Sequence, residues 1–126
     1  MNVPEAKRSR WKRKTWLAAL VWSAIIVVLS TMPGINLPET LADLFSWDKL
    51  AHAFIYGVQV WLLLRTAEKP TGGQTAIILL VSVLYGASME AIQYAFFPGR
   101  YFELLDIAAN TVGSIIGWLI FRWKNK

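Results

Sequence analysis

The chain has 126 residues, 56% of them hydrophobic, with seven Trp, no Cys and a formal net charge of +5 at pH 7. Its mean hydropathy of +0.42 means more apolar surface than one small water-soluble core can cover, so the composition points to a single membrane domain. The lack of Cys excludes disulfides, thiolate metal sites and thiol nucleophiles.

Crossing about 30 Å of hydrocarbon takes roughly 20 helical residues, and four apolar runs approach that length. Residues 1–14 form a polar, basic tail, expected to be disordered or to lie along the headgroups. The first span runs from Trp16 to about Met32, with Trp11, Trp16 and Trp22 at its start as interfacial residues. It reads as a retained span and not a cleaved signal peptide, because no small-x-small site follows cleanly. Met32-Pro33-Gly34 ends it. Leu37, Leu41, Leu44 and Phe45 then recur at helical spacing, with Pro38 in the first turn, which predicts a short amphipathic helix on the membrane surface.

The second span runs from about Lys49 to Leu64 and is the shortest and most polar of the four. Ala67 to Gln74, with Pro70 and Gly72-Gly73, reads as a turn. The third span covers Thr75 to Phe97 and is closed by Pro98-Gly99, and the fourth covers about Leu104 to Phe121. Gly113 and Gly117 give a small-xxx-small pattern, suited either to close packing within the bundle or to a homo-oligomer face. The expected architecture is all-α: a polytopic four-transmembrane-helix bundle over residues 15–123, with an interfacial helix between its first two spans. A basic tail (1–14) and a short tail (124–126) flank it.

Eleven of the thirteen Lys and Arg lie in the N-terminal tail, the second connection and the C-terminus. Under the positive-inside rule these segments are cytoplasmic. The charge is therefore read as a topology signal and an anionic-lipid contact, with no nucleic-acid partner.

The polar residues of the spans collect at the opposite, extracytoplasmic end. Lys49, His52 and Tyr56 share one stripe of the second span, Glu90 and Gln93 one face of the third, and Asp106 and Asn110 one face of the fourth. Asp48 sits where a helix N-cap belongs. Arg100, in the turn after the third span, is either the partner of Glu90 or a fork for a ligand carboxylate or phosphate. Ionisable groups within spans are costly, so their convergence is a site hypothesis. Lys49, His52, Tyr56, Glu90, Gln93, Arg100, Asp106 and Asn110 are the expected ligand-binding set, and His52, Glu90 and Asp106 are the candidates for acid-base catalysis. One His without Cys offers none of the tight ligand spacings of a metal site, so neither a metal nor another cofactor is expected. Ser88 and Thr111 have no spacing that ties them to His52 as nucleophiles.

The series Asp48-Lys49-x-x-His52-x-x-x-Tyr56, Glu90-x-x-Gln93, Pro98-Gly99-Arg100 and Asp106-Ile107-x-x-Asn110-x-x-Gly113-x-x-x-Gly117 resembles the VanZ-like family of small bacterial membrane proteins, over about residues 16–121. The resemblance implies the same site positions and a role at the cell envelope, the family being named for a protein of teicoplanin resistance. The leading expectation is binding of the polar head of an amphiphile: a lipid-linked phosphate, a phospholipid or a lipoglycopeptide. An intramembrane enzyme acting on a lipid-linked phosphate or ester is the second, and a structural or assembly subunit the third.

Overall fold

Residues 5–31 contain neither Gly nor Pro, and in a computed structural model, which describes residues 4–32, 44–99 and 102–126, they form one unbroken helix, α1 (Glu5–Thr31). The basic segment expected to be disordered or to lie along the headgroups is thus helical from Glu5 on. Ala, Lys and Arg are strong helix formers, and Glu5 complements the dipole at the first turn. Helix α2 (Leu44–Thr66) begins about a turn before the expected Lys49, since no Gly or Pro interrupts that stretch.

Helix α3 (Gly72–Phe96) also starts early. The Thr71 hydroxyl accepts from the Gln74 amide at 3.2 Å while the Gln74 side chain accepts from the Thr71 amide at 3.0 Å. This reciprocal cap draws Gly72 and Gly73, read as turn residues, into the first helical turn. Gly99, at φ 82°, supplies the left-handed backbone that the turn after Pro98 requires. Helix α4 (Leu104–Lys124) follows. The amphipathic segment from Leu37 to Asp43 lies outside the described residues; its continuation, Leu44 and Phe45, belongs to α2.

Helix α2 packs against all three others, and most extensively against α4. The α2–α4 seam is made by small residues: a Cβ on Gly57 would stand 2.9 Å from the Gly113 carbonyl oxygen. Gly113 and Gly117 face the backbones of Ala53 and Gly57 in turn. Such close backbone approach is the packing use of the small-xxx-small pattern.

Polar side chains pin α1 to the bundle. Trp22, expected at the interface, instead donates its indole N–H to the Ile55 carbonyl at 3.0 Å. Gln59 donates to the Ser23 hydroxyl at 2.9 Å, and the Tyr85 hydroxyl donates to the Ser23 carbonyl at 2.7 Å. At one end of the bundle the buried cluster is Ile26, Tyr56 and Met89, and at the other it is Val60, Leu64 and Phe121.

Helices α1, α3 and α4 are long and apolar enough to cross a membrane. Their outer faces leave Leu17, Leu20, Val28, Ile77, Leu80 and Leu119 exposed, far more apolar surface than a monomeric soluble protein presents.

The alternating helix directions bring the starts of α1 and α3 together with the ends of α2 and α4. Arg65 lies over the rings of Trp61, at 4.6 Å, and Trp11, at 5.6 Å, both cation–π contacts. Arg8 pairs with Glu68 at 2.9 Å and holds its carboxyl below the usual carboxylate range through a hydrogen bond and its charge. The cationic tail, Arg65, Lys69, Arg122 and Lys124 thus occupy one end, and Lys49 the other.

Candidate functional site

Asp48 and His52 are four residues apart on α2, as are Asp106 and Asn110 on α4, so each pair shares a helix face. The tight glycine seam brings these faces together. The His52 Nδ1 and Asn110 Oδ1 atoms are 2.9 Å apart. The direction of this hydrogen bond follows the imidazole tautomer.

Lys49 is the ionic hub. Its Nζ pairs with Asp106 Oδ1, with Glu103 at 2.5 Å and with Asp48 Oδ2 at 3.6 Å. Its side chain is 17% exposed and that of Asp106 10%. In surroundings so poor in water the attraction is much stronger than on an open surface. Lys49, anticipated as a grip for an anionic ligand, is thus engaged with three of the protein's own carboxylates.

Asp48 is no N-cap, since α2 starts at Leu44 and places it inside the helix, with Oδ1 3.8 Å from His52 Nε2. Asp106 Oδ2 lies 4.0 Å from the same nitrogen. Three candidate ligand atoms, one each from Asp48, His52 and Asp106, therefore lie within 4.8 Å of one another. Spacing along the chain could not show this, because the third residue comes from another helix.

Beside this group is a cavity of about 170 Å³ lined by Asp48, His52, Glu90, Gln93, Gly99, Glu103 and Asp106. Glu90 is 2% exposed. Gln93 lines the cavity and also donates to the Ser30 carbonyl at 2.7 Å, tying α3 to α1. Tyr56 is buried against Ile26 and Met89 and belongs more to the core than to the cavity wall. Arg100 lies outside the described residues. Ser88 and Thr111 each donate to a carbonyl of their own helix.

Sequence reasoning missed Glu103. It holds the N-cap position of α4 but makes no side-chain cap, its carboxylate going to Lys49 instead. Its spacing of three from Asp106, at a helix start, was the signal that could have found it.

An apolar-surfaced helical bundle, with an acid- and amide-lined cavity around Lys49 at one end and most of its cations at the other, defines a membrane protein. The chain belongs to the VanZ/LLP1 family, which it matches over residues 5–125. No curated protein and no solved structure gives a match.

Proposed function

We propose that this protein is a four-span protein of the bacterial cytoplasmic membrane, with cytoplasmic termini, that binds the polar head of an amphiphilic envelope molecule. The site is the extracytoplasmic cavity. In this reading α2 is the fourth span, shielded by its neighbours, and the segment before it lies on the outer membrane surface.

The observation that carries the reading is a cavity with four carboxylates and an amide among its lining groups, within a bundle whose outer faces are apolar. Two of these carboxylates, Glu90 and Asp106, are buried, and burying such groups beside hydrocarbon is costly. The carboxylates accept hydrogen bonds from hydroxyl or ammonium groups of a head, and the guanidinium of Arg100, which lies between α3 and α4 in the sequence, suits a phosphate. Lowered susceptibility to teicoplanin would follow from altered access of a lipoglycopeptide to the membrane or to its lipid-linked target.

Native mass spectrometry of the protein released gently from its own membranes tests this. A defined lipid mass is expected on wild type and is expected to be lost in Glu90→Gln and Arg100→Ala. An empty wild-type protein, with both variants merely less stable, would replace the binding reading with a structural one.

A second reading, acid-base chemistry on a lipid-linked phosphate or ester, is favoured by the His52 ring, held by Asn110 with its other nitrogen facing two carboxylates. Conversion of the copurified lipid by wild type but not by His52→Ala would select it.

A further inference from the structure

We infer that Asp48, His52 and Asp106 hold a divalent transition-metal ion, zinc or manganese in type, beside the polar cavity. The argument begins with the imidazole. Its Nδ1 lies 2.9 Å from Asn110 Oδ1, a contact that fixes the ring and turns Nε2 toward the carboxylates. Nε2 stands 3.8 Å from Asp48 Oδ1 and 4.0 Å from Asp106 Oδ2. Both distances are too long for hydrogen bonds. Three potential donor atoms, two from α2 and one from α4, thus face one another across a gap that a cation can fill.

The separations suit that cation. Zinc bonds to nitrogen and oxygen of about 2.0–2.2 Å in a tetrahedron put neighbouring donor atoms roughly 3.3–3.6 Å apart. The three atoms here all lie within 4.8 Å of one another, so small side-chain movements close the set. Each carboxylate gives its other oxygen to Lys49, Asp48 through Oδ2 and Asp106 through Oδ1. The lysine thereby turns the remaining oxygens toward His52. A ligating imidazole is usually oriented by a hydrogen-bond partner on its far nitrogen, the position that Asn110 occupies here.

One imidazole and two carboxylates make a mixed donor set that suits zinc, manganese or iron(II) better than calcium or magnesium. Three protein ligands leave a position open, and the space beside them is the cavity that Glu90 and Gln93 also line. A phosphate oxygen of a bound head fits that position, and the metal adds positive charge to an acidic wall. This last step rests on the head-group reading; the metal site itself rests on the three ligands.

The test uses the full chain in detergent, treated with EDTA, desalted and titrated with Zn²⁺ or Mn²⁺ alone. Bound zinc is read by elemental analysis, and Mn²⁺ by loss of the free-ion resonance. Roughly one ion per chain is expected, with affinity reduced at least about tenfold in Asp48→Asn and His52→Gln. Asp48 is exposed, so its variant keeps the fold, and Glu5→Gln, at the far end of α1, should bind as wild type does. Absent binding, or equal binding in wild type, Asp48→Asn and His52→Gln, overturns the site. Lipid retained by chelated protein that fails to take up metal leaves the head-group reading standing alone; metal uptake by protein that carries no lipid leaves the metal site standing alone.

Discussion

Replacing Lys49 with Met is expected to destabilise the bundle by about 3 kcal/mol, the lower end of the range for removing one partner of a buried ion pair. The lysine joins Asp106 and Glu103 across the α2–α4 interface and reaches Asp48 on its own helix. Without it, the nearly buried Asp106 loses its countercharge and faces two further carboxylates. The change is read by unfolding in mixed micelles with increasing denaturing detergent, with a chelator present so that no metal replaces the ammonium. Adding Asp106→Asn to Lys49→Met should recover part of the loss, because the uncompensated charge goes with it. Asp48→Asn alone should stay within about 0.5 kcal/mol of wild type, as surface substitutions do. A Lys49→Met protein as stable as wild type would reduce the hub to a weak surface pair.

The second large effect is expected at Gly113. A methyl group there would collide with the carbonyl of Ala53, which is backbone and cannot swing aside. Gly113→Ala must therefore push α2 and α4 apart. Overpacking typically costs about 1–3 kcal/mol, and with backbone opposing backbone we expect about 3 kcal/mol or more. Since Asp106 and Asn110 lie on the same stripe of α4, the separation also breaks the His52–Asn110 contact, so head-group and metal binding should fall together with stability. Gly72→Ala is the control: nothing lies within 4 Å of its added carbon. Equal stability of the Gly113→Ala and Gly72→Ala proteins would show that the seam tolerates a wider spacing.

The helices and the end at which the polar residues meet were legible in the sequence, because both follow from periodicity along single segments. Lys49, His52, Asp106 and Asn110 do converge, as their shared stripes implied. What was not legible is which groups satisfy one another. Lys49 looked available to an outside anion, yet Glu103 and Asp106 reach it from α4. Asp48 had the look of a cap because the start of α2 was placed too late. Asp48, His52 and Asp106 showed no metal-ligand spacing, since spacing reports neighbours on one helix and the third donor comes from another. Residues 5–14 were judged by polarity alone, while their helix-forming side chains, free of Gly and Pro, continue α1 without a break.

The position of α2 has a consequence for how the protein is made. This helix carries Asp48, Lys49 and His52 near its start, and charges held away from water without partners are costly. The carboxylates that neutralise Lys49 from outside α2, Glu103 and Asp106, lie at the start of α4, which is made after α2. For much of synthesis α2 therefore has neither its countercharges nor the glycine seam that buries it. Its polar end is closed only when α4 arrives, so that the docking of α2 in the bundle depends on a helix made after it.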